Sequence, residues 1–149
     1  MKKLKTVFAV AAFMFATSAF AASGPEKVSP RVKAEFEKNF TGAANVNWQK
    51  TDDYYFATFT LNAKEINVAY NESGELVGVS RLIPTTQLPF NVSMAISNKY
   101  QNYDVAKTVT ELTYEGQTSY NVIVENSKQF LKLKCSSSGD ITVVNKIKK

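Results

Sequence analysis

The chain has no histidine. The commonest acid–base group and the commonest imidazole metal ligand are therefore missing, and no Ser-His-Asp or Cys-His nucleophile can be assembled. There is one cysteine, so no internal disulfide can form. Cys135 stands in phase with Leu133 in Lys132-Leu133-Lys134-Cys135, the setting of a small buried side chain rather than a reactive thiol. Gly74 and Gly139 stand alone, outside any phosphate-cradling glycine pattern. Acidic clusters are equally scarce. Asp52-Asp53 is the one adjacent acidic pair and reads as a hairpin turn, a position that suits aspartate. The C-terminal Lys146, Lys148 and Lys149 read as a solvated tail, not the basic stripe that nucleic acid demands. No catalytic, cofactor-binding or metal site is expected, and the chain reads as a non-enzyme.

Long hydrophobic runs are lacking too, with one exception. Thr6 to Phe20 is apolar, follows Lys2, Lys3 and Lys5, and ends at Ala19-Phe20-Ala21. Basic start, short apolar run and small-residue cleavage site make residues 1–21 a signal peptide. The run is shorter than the ~20 apolar residues of a membrane span. The residue directly after the cleavage site is Ala22, not cysteine, which argues against a lipoprotein. The expected location is therefore periplasmic or secreted, with no membrane insertion after cleavage. Three lysines leave with the signal, so the formal net charge falls from +5 to 15 − 13 = +2. Residues 22–28 read as a flexible leader and 29–149 as a single domain.

Period-two alternation is plentiful. Tyr55, Ala57, Phe59 and Leu61 point one way; Tyr54, Phe56, Thr58 and Thr60 point the other. On the next strand Ile66, Val68 and Tyr70 share a face. A turn at Ala63-Lys64 would pair Leu61 with Ile66, Phe59 with Val68 and Ala57 with Tyr70, placing both apolar sets together. Upstream, Ser29-Pro30 opens a helix whose Val32, Phe36 and Phe40 recur at i, i+4, i+8.

This pattern occurs twice. Val92, Ile96 and Tyr100 match Val32, Phe36 and Phe40 at an offset of about sixty; Tyr120, Val122 and Val124 match Tyr55, Ala57 and Phe59 at an offset of about sixty-five. The change of offset puts a small insertion in or after the strand expected from Val105 to Tyr114. The repeats span 29–83 and 89–149, with 84–88 as linker. Each is a helix plus four strands. One helix cannot cover both faces of such a sheet, so the expected fold is α+β: two helices on one face of a shared antiparallel sheet of about eight strands.

Several motifs carry a family resemblance: Asn45-Val46-Asn47-Trp48, Tyr55-Phe56-Ala57-Thr58-Phe59, Ile66-Asn67-Val68-Ala69-Tyr70 and Ser73-Gly74-Glu75-Leu76, then Leu88-Pro89, Ser119-Tyr120-Asn121-Val122 and Ser138-Gly139-Asp140. The chain resembles the PepSY-like, β-lactamase-inhibitor-like family of exported bacterial proteins, common in Bacteroidetes. That resemblance implies two helix-plus-sheet repeats and no fixed activity, since fold does not dictate function. Trp48 has no counterpart tryptophan in the second repeat. The residues themselves suggest a partner-binding face opposite the helices, formed by Tyr54, Phe56, Thr58 and Asn67 in the first repeat and Asn121, Phe130, Lys132 and Lys134 in the second. Two readings of its aromatic rings stand: an open anchor patch for an unknown protein or peptide, or rings packed across strands. The expected role is a non-enzymatic binding protein, in its narrower form an inhibitor of an envelope or secreted enzyme. The alternative is a structural or assembly protein of the envelope with no discrete ligand.

Overall fold

Ser29 starts the first helix as its side chain allows. The Val32 amide donates to the Ser29 hydroxyl at 3.4 Å, and Pro30 occupies the first turn of α1 (Pro30–Asn39), where a missing amide proton costs nothing. The structure, a computed structural model, describes residues 27–149; the signal-peptide reading and residues 22–26 of the leader lie outside the described residues. Val28, at the leader's end, is buried in the same core as Val32 and Phe36. Past the helix, Gly42 turns the chain at a φ of 87°.

The strands are β1 (Ala44–Lys50), β2 (Tyr54–Leu61), β3 (Lys64–Asn71) and β4 (Leu76–Pro84). A 3₁₀ turn at Thr85–Gln87 leads to α2 (Phe90–Lys99). Then follow β5 (Asp104–Val105), β6 (Thr108–Tyr114), β7 (Gln117–Glu125), β8 (Gln129–Ser136) and β9 (Ile141–Lys148). All pairings are antiparallel, in the order β1-β2-β3-β4-β6-β7-β8-β9, with β5 alongside β7.

The β2–β3 register differs from the one expected. Leu61 pairs with Lys64, Phe59 with Ile66 and Ala57 with Val68. The turn is the two residues Asn62-Ala63, both at positive φ (51° and 60°), the geometry that matches strand twist in a two-residue hairpin. The slip is two residues, so every side chain keeps its face.

The strand count also rises, because the expected strand from Val105 to Tyr114 is interrupted at Ala106-Lys107 between β5 and β6. The first repeat breaks at the corresponding place, with a bulge between Ala44 and Asn47 and Asn45 at a φ of 55°. The offset change is explained in the next hairpin. Tyr55 follows its partner Lys50 by five positions, whereas Tyr120 follows its partner Glu111 by nine. The β6–β7 hairpin is thus longer by four residues, and the fifth is absorbed at the break.

Both helices lie on one face. Directly paired residues share a face, and Val68 leads to Val79 and then Thr113, while Ile83 leads to Val109. Val68 packs in the α1 core with Phe36, Tyr55, Phe59 and Tyr70; Ile83 and Val109 pack in the α2 core with Ile96, Val122, Leu133 and Cys135. The turns after β3 and β8 are built alike. Gly74 and Gly139, at φ of 81° and 99°, let the chain pass close to the first turn of each helix: a Cβ on Gly74 would lie 3.1 Å from Arg31 Cγ, and one on Gly139 would lie 2.9 Å from the Asn91 carbonyl oxygen.

Candidate binding face

The sheet face away from the helices carries the opposite set of side chains. Cross-strand pairing arranges them in rows. One row runs Phe56, Ala69, Gly78, Tyr114, Gln117; the next runs Thr58, Asn67, Ser80, Leu112, Ser119, Ser136; a third runs Leu82, Thr110, Asn121, Lys134, Thr142. All eight residues singled out from the sequence lie on this face. They do not form one patch. Tyr54 on β2 and Phe130 on β8 are five strand steps apart, roughly 24 Å across the sheet at ~4.8 Å per step.

In the first repeat the rings are packed rather than open. Tyr54 is 8% exposed and Phe56 4%, and with Ala69 and Val77 they make a small apolar cluster of their own. Their ring centroids lie 6.2 Å apart. Tyr114 helps close this cluster. It stands opposite Gly78, whose missing side chain leaves room for the ring: a Cβ there would sit 3.5 Å from Tyr114 Cδ2. Burial pushes the Tyr114 hydroxyl far above the ordinary tyrosine range, and the neighbouring Tyr54 hydroxyl and Glu115 add to the shift. Tyr114 lies near the tip of the lengthened β6–β7 hairpin. Beside the cluster, Thr58 Oγ1 donates to Asn67 Oδ1 at 2.7 Å, which leaves the asparagine amide as the outward donor.

The second repeat presents a more polar surface. Asn121 stands across from Lys134, Ile123 across from Lys132, and Glu125 across from Phe130. The Phe130 ring is capped by Lys149 Nζ at 4.4 Å from its centroid, and the same ammonium bridges to Glu125 at 2.8 Å. Between the β6–β7 and β8–β9 turns lies a cavity of about 460 Å³, lined by Leu112, Tyr114, Ser119, Lys134, Ser136 and Asp140 among others. The Ser138 and Ser136 hydroxyls donate to Asp140 Oδ2 at 2.7 and 3.0 Å and hold its carboxyl below the usual carboxylate range. Lys134 gives the cavity one cation, and Glu115 and Asp140 give it two carboxylates. In the sequence Ser138-Gly139-Asp140 stands out only as a motif of the family resemblance; the signal that ties it to this face is Tyr114, in outward phase beside an insertion.

Other features lie on the helix side. Arg81 Nε donates to Glu111 Oε1 at 2.8 Å, a charged link across β4 and β6 where the repeats join. Trp48 is half-buried against Phe36, 5.1 Å away and edge-on, and borders a groove of about 500 Å³ with Phe40 and Val46 beside the β1 edge. Trp48 is paired with Ala57; in the second repeat Val109, in the same core as Val122, takes its place.

No family model and no curated protein matches the chain. Solved structures do. A DUF2874 family protein from Bacteroides uniformis superposes with a TM-score of 0.68 at 19% identity, covering 82% of this chain and 90% of that one. A proposed periplasmic protein from Bacteroides eggerthii gives 0.68 at 20% identity, covering 82% and 89%. A BLIP-like protein from Bacteroides fragilis gives 0.64 at 22% identity, covering 84% and 89%. What is shared at these identities is the fold: two helices on an antiparallel sheet, in BLIP-like order. No described helix is long and apolar enough to cross a membrane.

Proposed function

We propose that this chain is an exported, non-enzymatic binding protein of the PepSY-like, β-lactamase-inhibitor-like kind, and that it engages a protein or peptide through the sheet face opposite the helices. The narrower form of the proposal is inhibition of an envelope or secreted enzyme. One observation carries the reading: both helices pack on the same face, so neither helix covers the other. That face combines a packed aromatic floor at Tyr54 and Phe56 with polar and cationic groups at Asn67, Asn121, Lys132 and Lys134, the last of which borders the cavity. Amide and lysine groups beside a packed apolar floor offer a protein partner hydrogen bonds and charge as well as apolar contact. Export follows from the signal-peptide pattern, and the fold it shares with a proposed periplasmic protein is in keeping with it. The test is capture from an envelope extract with paired variants. Phe130→Ala and Lys134→Ala should each weaken capture while the melting temperature stays nearly constant. Phe90→Ala, on the helix side and 76% exposed, should not weaken it. Equal loss in all three, or in none, sinks the assignment of the face.

A further inference from the structure

The charge of this protein is divided unevenly. Residues 27–127 carry nine Lys and Arg against eleven Asp and Glu, whereas residues 128–149 carry six lysines against Asp140 alone. The six lysines are not on a tail. They belong to the β8–β9 hairpin and its entry, and β9 is the last strand of the sheet, with no described strand on its outer edge. Lys146 and Lys148 pair with Leu131 and Gln129 and so stand on the helix side; Asn145 and Ile147 pair with Lys132 and Phe130 and stand on the outer side. Three apolar side chains are also open here: Val143, Val144 and Ile147 are 47%, 46% and 47% exposed.

Cations on one side of an edge and an apolar residue on the other suit a partner that meets the edge head-on, not a surface lying against one face. An unpaired edge offers backbone donors and acceptors to such a partner, and strand addition uses them. Charge then selects the occupant. A second β9 laid antiparallel and centred on Ile147 would bring Lys146 against Lys148, which is unfavourable across strands. The β1 edge of a second copy, Ala44–Lys50, has no carboxylate to offer. We infer that the outer edge of β9 accepts an extended acidic segment of another protein as an added strand. Two carboxylates, two residues apart, stand against Lys146 and Lys148, and the apolar residue between them stands against Ile147. This is a second surface, separate from the sheet face, and does not rest on the binding role proposed for that face.

The test uses the purified protein and four capped, fluorescein-labelled heptapeptides, of three kinds, read by anisotropy. One alternates glutamate and valine, one alternates lysine and valine, and one is the glutamate peptide N-methylated at alternate residues, made in both registers. The glutamate peptide should bind at least tenfold more tightly than the lysine peptide and lose affinity as salt rises. N-methylation in one register should weaken it tenfold or more, because that peptide edge no longer donates. The double variant Lys146→Glu, Lys148→Glu alters exposed side chains and should keep its melting temperature while reversing the preference between the two charged peptides. Four results overturn the inference: no measurable binding of the glutamate peptide, equal binding of both N-methylated forms and their parent, an unchanged preference in the double variant, or binding to phosphatidylglycerol vesicles without binding to the peptide, which would make the edge a lipid contact.

Discussion

Replacing Phe59 by alanine removes the ring at the centre of the first core. Phe59 is 1% exposed. Phe36 stands edge-on to it at 4.9 Å and 88°, and Phe40 lies at 4.9 Å and 54°. Truncating a buried phenylalanine costs about 3–5 kcal/mol, including the void left behind. Each lost aromatic pair is worth about 0.5–1.5 kcal/mol beyond burial, and α1 is held to β2 by both rings. The expected loss is therefore in the upper half of that range, about 4–5 kcal/mol. That is a large share of the total stability of a domain, about 5–15 kcal/mol, and for a chain of this size corresponds to a fall of about 15–25 °C in melting temperature. Urea unfolding should show a lower midpoint with an unchanged slope. Phe90→Ala, 76% exposed on α2, is the control and should stay within about 0.5 kcal/mol. A loss below about 1 kcal/mol for Phe59→Ala, or an equal loss for Phe90→Ala, would refute the assignment of helix-facing and outward strand positions.

Gly139→Ala should destabilise by about 2–4 kcal/mol, since a left-handed L-residue costs about 1–2 kcal/mol and its Cβ would also meet the Asn91 carbonyl. Gly116→Ala, at a φ of 77° with nothing within 4 Å, should cost about 1 kcal/mol, so thermal melts must rank the two in that order. Burial pushes the Cys135 thiol from 9.0 up to about 11, so the native protein should resist iodoacetamide at pH 8 and react only when unfolded. A folded value above the unfolded one means that this contribution to stability is intact below about pH 9 and is lost as pH rises through about 11; Tyr70, Tyr100 and Tyr120, all raised chiefly by burial, act in the same direction. Urea midpoints should fall across that alkaline window, and Cys135→Ala should flatten part of the fall.

The helix-facing half of the protein was legible because it obeys a period. Val32, Phe36 and Val92, Ile96 recur as helix stripes, and Tyr55-Ala57-Phe59 and Tyr120-Val122-Val124 as strand alternations; all are buried where the pattern puts them. The β2–β3 register was misplaced by two residues because period two cannot distinguish slips of two; the Asn62-Ala63 turn decides it, and Ala63 at positive φ carries no sequence signal. The candidate face was harder to see. That Tyr54 and Phe56 are packed depends on Gly78 leaving room and on Tyr114 arriving from a different repeat, a contact between strands far apart in sequence. The lysines of β9 looked like a tail because Lys146, Ile147, Lys148 and Lys149 have too little apolar content to announce a strand, and the edge position asks for little.

The two repeats have kept one face alike and let the other diverge. At the offset of sixty-five, inward positions stay apolar: Tyr55 and Tyr120, Ala57 and Val122, Phe59 and Val124, Ile66 and Leu131, Val68 and Leu133, Tyr70 and Cys135. Outward positions change class: Tyr54 becomes Ser119, Phe56 becomes Asn121, Thr58 becomes Ile123, Asn67 becomes Lys132 and Ala69 becomes Lys134. The difference has a physical source. A helix docked on a sheet fixes the volume and polarity of every residue beneath it, so both copies must solve the same packing problem. The outer positions face no helix and are free to differ. The shared sheet then joins an apolar half to a basic, amide-bearing half through the seven residue pairs of β4 and β6, with the Arg81–Glu111 bridge across the join. On the binding role proposed above, a partner laid on this face would meet unlike chemistry at its two ends and so would be held in one orientation, although the scaffold beneath is nearly two-fold in design.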